Sequence, residues 1–124
     1  MDKERAVEEM LKNYTTNIAI IKNIDLDIED ANLSDNPDLE EVERLNHIKK
    51  QKQFEVRRVN NMLSALKDRD LKIIEMKYFH RCKLKDIAME LDLSPVYITQ
   101  LKSKIIKELA DNIFVGDDYF KNII

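Results

Sequence analysis

Residues 83–107 read KLKDIAMELDLSPVYITQLKSKIIK. Leu84, Ile87, Ala88 and Leu91 recur at helical spacing, and so do Ile98, Leu101, Ile105 and, just beyond, Leu109. The joint between them, LDLS at 91–94, ends in Ser94 followed by Pro95. Serine caps helix N-termini, and proline suits the first helical position because its missing N–H would have had no partner there. Two short helices meeting at such a joint form either the elbow of a groove-reading helix-turn-helix or a plain corner between core helices.

Residue types favour the elbow. The second helix crosses the first closely, which calls for a small residue, and Ala88 supplies it. An apolar residue belongs inside the turn, where Leu93 stands. The second helix enters a groove by its N-terminus. Between the core positions Ile98, Leu101 and Ile105, the outward positions are Val96, Tyr97, Thr99, Gln100, Ser103 and Lys104. Gln pairs with adenine, Val and the Thr methyl touch thymine methyls, and Ser, Lys and Tyr hold phosphates.

Working outward, the rest of the chain also reads as helix. With one Gly and two Pro in 124 residues, hairpin turns between strands have little to work with. Val7, Leu11, Tyr14, Ile18, Ile21 and Ile28 alternate spacings of four and three, with Asp25 at the missing step; Met10 and Ile24 widen the stripe. This predicts a helix from about Asp2 to Asp30. After ANLSDNPD, the pair Asn36–Pro37 marks a second start, and Val42, Leu45, Val56, Val59, Leu63 and Leu66 form a seam to about Lys67. KKQKQ at 49–53 is polar all round, the mark of a solvated or hinged stretch. Both helices would be roughly 40–45 Å long, and a short loop between them implies an antiparallel hairpin. A third, short helix is expected from Asp68, as its cap, through Leu71, Ile74 and Met76 to Tyr78 or Phe79.

The net charge of −3 conceals a division. Residues 1–45 carry 13 acidic and 5 basic side chains, whereas residues 46–110 carry 15 basic and 8 acidic. The second half suits phosphate and the first is repelled by it.

Residues 66–109 resemble region 4 of the sigma-70 family, the promoter-binding part of a sigma factor. LKDRDLKIIEMKYF is similar to the family's opening helix, DIAMELDLS to its EIAEELGIS, and YITQLKSKIIKEL to its RVRQIEKRALRKL. The resemblance implies that Gln100 faces the groove and that Thr99 and Tyr97 stand where arginines contact DNA. Pro95 and Val96 replace an Arg-Glu pair that reads bases; Lys104 keeps a basic backbone contact and Lys107 a basic position. Arg81 and Asp92 stand where the family often has Gly, which implies altered or strained backbone at both turns. Lys83 replaces the usual Ser or Thr cap. Loss of the Arg-Glu-Arg set implies a target other than the ordinary −35 element. The chain does not resemble a whole sigma factor, because its acidic front half holds only two aromatics, Tyr14 and Phe54. Length, layout and composition instead resemble small phage transcription regulators of the ArpU and RinA type.

Other chemistries find little support. His80 and Cys82 lack a second ligand pair, so a packed thiol is favoured over a metal site. No orienting third group accompanies them for nucleophilic catalysis, and no Gly-rich phosphate loop exists. We expect neither enzyme nor cofactor. One Cys, no apolar run of membrane-spanning length and no signal-like N-terminus suggest a cytoplasmic protein of a bacterium or phage-infected host.

The expectation is thus an all-α chain. A long antiparallel helical hairpin over 1–67, for oligomerisation or partner contact, precedes a three-helix sigma region 4-like helix-turn-helix domain over 68–110 and a tail over 111–124. The expected function is sequence-specific, DNA-binding transcription regulation. Lys83, Lys85, Lys102 and Lys104 would hold phosphates; Ser94, Pro95, Val96, Tyr97, Thr99, Gln100 and Ser103 would complete the interface with double-stranded DNA. The hairpin would form a homodimer or contact RNA polymerase. The alternatives are a small-terminase-like DNA packaging protein, or a polymerase- or sigma-interacting module without strong DNA binding.

Overall fold

In the computed structural model, residues 2–113 are described; most of the expected tail, residues 114–124, lies outside them. Among the described residues the chain is all-helical, with no strand. The helices are α1 (Lys3–Asn32), α2 (Leu39–Leu63), α3 (Asp68–Ile74), α4 (Leu84–Leu91) and α5 (Pro95–Ile113), and α3 runs on into a π-helical segment, Glu75–Phe79.

The first two helices lie side by side and run in opposite directions. Tyr14 Oη donates to Asn60 Oδ1 at 2.5 Å, Asn17 Nδ2 to Glu55 Oε2 at 2.8 Å, and Lys49 meets Asp25 at 2.5 Å. As the first partner advances the second retreats, the signature of antiparallel pairing. Asn17 is buried, and its bond to Glu55 meets the requirement that a buried amide be paired.

The core gathers the early turns of α1, the last turns of α2 and all that follows. Val7, Leu11, Met62, Ile73, Ile74, Ile87 and Ile98 are fully covered within one cluster, with Val59, Tyr78, Ile105, Ile106 and Leu109 beside them. Each such aliphatic side chain contributes about 1.5–3 kcal/mol relative to exposure. The far halves of α1 and α2 are thinner. Ile24 and Leu45 are buried there, outside the cluster, while Ile18, Ile21, Ile28, Val42 and Val56 are only half-buried. Two helices facing each other can cover only the inner side of each stripe.

The structure differs from the sequence expectation at two helix starts and at one mid-helix stretch. Asp38, not Asn36, caps α2: its Oδ1 accepts from the N–H groups of Glu40 and Glu41 at 3.1 and 3.2 Å. A carboxylate carries more negative charge toward the helix N-terminus than an amide does. Lys67, not Asp68, occupies the cap of α3 and makes no side-chain bond there. Residues 49–53 form no hinge, since α2 is continuous through them; Lys49 reaches Asp25 and Lys52 reaches Glu55.

The π segment was not expected. His80 N donates to the Glu75 carbonyl five residues back, at 3.0 Å. The extra residue per turn turns two consecutive aromatics onto α1. Tyr78 Oη donates to Glu8 Oε2 at 3.0 Å, and the Phe79 ring stacks on Tyr14 with centroids 4.6 Å apart. These contacts tie the short helices to the long pair.

Candidate nucleic-acid interface

The joint between α4 and α5 is built from backbone bonds. Asp92 adopts the left-handed conformation (φ 55°, ψ 47°) and ends α4. Leu93 N donates to the Ala88 carbonyl at 2.9 Å and Asp92 N to that of Met89 at 3.3 Å. This pair of bonds is the Schellman arrangement, which satisfies carbonyls that the helix end leaves open. Glycine favours this backbone because it lacks a Cβ; aspartate tolerates it better than most residues. Leu93 packs against the core, and Ala88 is buried in it. Arg81, at the other turn, is the second non-Gly residue with positive φ, 53°. Both are positions where the sigma resemblance implied altered backbone.

Ser94 then starts α5. Its Oγ accepts from Tyr97 N at 3.1 Å, and its carbonyl accepts from Ile98 N at 3.0 Å. The helix is anchored by Ile98, Leu101, Ile105, Ile106, Leu109 and Ala110, all buried. The opposite side is uncovered. Val96, Gln100, Ser103 and Lys107 are exposed at spacings of four, three and four, a single stripe along the outer face.

The expected site residues fall at the cap and along α5, and at the cap and start of α4. Ser94, Pro95, Thr99, Gln100, Ser103 and Lys104 are exposed, Val96 is 69% exposed and Tyr97 41%. Thr99 Oγ1 donates back to the Pro95 carbonyl at 3.1 Å, which fixes its rotamer. Lys83 and Lys85 are exposed at the start of α4, where Lys83 holds the cap position without a side-chain cap bond. Lys104 lies 4.0 Å from Glu108, both largely exposed, so the pair binds Lys104 weakly.

Lys102 stands apart from this set. It is partly covered and, with Ser103, lines a cleft shared with Asp2, the cap of α1, and with Glu4, Arg5 and Glu8 of that helix. The start of the front half therefore reaches the flank of α5 at Lys102 and Ser103, and Val96, Gln100 and Lys107 lie outside that cleft.

Two further exposed groups were not among the expected site residues. Met89 of α4 is 78% exposed. Its absence from the Leu84, Ile87, Ala88 and Leu91 stripe was the available signal. Arg81 is exposed at the turn before α4. An ion pair, 3.2 Å, links Lys72 of α3 to Glu90 of α4 on the surface.

Cys82 is half-buried and packs on the core as a free thiol. Among the described residues no group of three or more His, Cys, Asp or Glu could hold a metal ion, and no helix is long and apolar enough to cross a membrane. In comparisons with known proteins, no family model, no curated protein and no solved structure matches the chain significantly.

Proposed function

We propose that α4, the Asp92–Leu93 turn and α5 form a helix-turn-helix of the sigma region 4 kind. In this reading the chain is a sequence-specific DNA-binding transcription regulator of a phage or prophage. The observation that carries the proposal is the free outer stripe of α5. Had the long helices covered Thr99 and Gln100, no base edge could be reached; both are exposed. The capped N-terminus of α5 would enter the major groove, where Val96, Thr99 and Gln100 meet base edges. Lys83, Lys85 and Lys104 would hold the flanking phosphates. Lys102, partly covered in the cleft it shares with the start of α1, is the least well placed of the four lysines.

The α1–α2 pair would act as the oligomerisation element. Its half-buried isoleucines and valines gain cover when a second copy packs against them. Homodimers suit DNA with paired half-sites.

Two tests follow. The full chain, incubated with a random duplex pool at low salt, should enrich a defined site. Lys83→Ala should weaken binding about equally across sequences and lower the salt slope by about one. Exposed Met89 and Val96 favour one rival, a polymerase- or sigma-docking face. A stable complex with RNA polymerase and no salt-sensitive DNA binding would decide for that rival.

A further inference from the structure

We infer that the first two turns of α5 read thymine methyl groups next to an adenine, so that the selected site is A·T-bearing where this helix enters. The inference rests on the DNA-binding reading above and adds to it the bases recognised.

From Pro95 to Leu101 no side chain carries a charge; the first is Lys102, which is partly covered and lines the cleft shared with the start of α1. Guanine is read in the major groove most often by Arg or Lys on O6 and N7, and cytosine by Asp or Glu accepting from N4. Neither type is present in the two turns that enter first. What they offer is apolar surface and one amide.

Val96 is 69% exposed. An isopropyl group in the major groove has one favourable partner, the thymine C5-methyl. Thr99 adds a second methyl. Its hydroxyl donor is committed to the Pro95 carbonyl at 3.1 Å, so a base acceptor would have to compete with that bond. Gln100 is the amide suited to adenine N6 and N7. Val96 and Gln100 are one helical turn apart on one face, about 6 Å. With bases stacked about 3.4 Å apart, that separation spans about two base pairs. The thymine read by Val96 therefore lies within about two base pairs of the adenine read by Gln100.

The test replaces each thymidine of the selected site, singly, by deoxyuridine. This removes the C5-methyl and leaves the pairing edge intact. We expect one or two positions near the adenine to lose about fourfold in affinity per methyl. Val96→Ala should make the replacement neutral at one of them, and Thr99→Ser, which keeps the hydroxyl, at the other. Both side chains are exposed, so thermal melts of the variants should match the parent. If the site is bound but every deoxyuridine duplex binds as well as the original, the inference is overturned and the DNA-binding reading stands. The same holds if the losses persist in both variants. If methyl removal is silent while Val96→Ala abolishes binding to polymerase, the patch is a protein-docking face. If no site is selected at all, the DNA-binding reading fails, and this inference with it.

Discussion

Tyr78 and Glu8, seventy residues apart in sequence, share a hydrogen bond in which the phenol donates to Oε2 at 3.0 Å. The bond joins the π segment to α1 and so fixes the short helices against the long pair. Burial, then the Glu8 charge and its hydrogen bond, hold the Tyr78 hydroxyl far above its ordinary value of 10.0. A folded value above the unfolded one stabilises the fold fully below about pH 10, and that contribution fades as pH climbs toward the folded value. Tyr78→Phe should cost about 1–2 kcal/mol at neutral pH, because it strips Glu8 of its donor. It should also remove this part of the alkaline decline, narrowing the gap to the parent above about pH 10. Urea melts at pH 7 and pH 11 measure both; a gap that stays constant contradicts the assignment.

Arg81 and Asp92 take left-handed backbone that a Cβ disfavours. Asp92→Gly should stabilise the chain by about 0.5–1 kcal/mol and Arg81→Gly by about 1 kcal/mol. Denaturant midpoints check this, and a loss of stability in both variants would refute it.

Asp38 and Asn36 make a matched pair for capping. Asp38→Ala should cost about 1 kcal/mol, whereas Asn36→Ala should change stability by less than about 0.5 kcal/mol. Thermal melts of the two variants distinguish them, and equal effects would contradict the capping geometry.

These sites also mark what the sequence made legible. Helical periodicity announced the long helices, and Ser94–Pro95 announced α5, because capping chemistry is local and spelled in adjacent residues. Asn36–Pro37 used the same grammar and misled, since Asp38 two residues on offered the stronger acceptor. The π segment was illegible: an inserted turn residue shifts the period without any distinctive residue, and only packing against Glu8 and Tyr14 selects it. Ile73, fully buried in α3, was missed because it lies beside the expected Leu71 and Ile74 stripe. Asn17 was hidden too, because a polar residue on an apolar face shows its role only when Glu55 stands opposite. At the candidate interface, the outward residues of α5 could be read from its apolar stripe. The cleft that Lys102 and Ser103 share with Asp2, Glu4 and Glu8 could not, because it depends on how α1 docks.

The arm formed by α1 and α2 leaves Leu26, Leu33, Leu39 and Phe54 exposed. On the dimer reading, sedimentation equilibrium should give twice the chain mass. Leu26→Ser combined with Phe54→Ser should shift the equilibrium toward monomer with helicity unchanged. A parent chain that sediments as a monomer contradicts the dimer, and a ring of many subunits points instead to a packaging role.

The central claim is that α5 presents Gln100 to base edges. Its most direct measurement is the affinity of the parent and of Gln100→Ala for the selected duplex and for variants of it at each base pair. The account predicts a loss of about 1–3 kcal/mol on the selected duplex and relaxed preference at one base pair, with the remaining positions unchanged. Equal affinity of both proteins for every duplex in the set would contradict it.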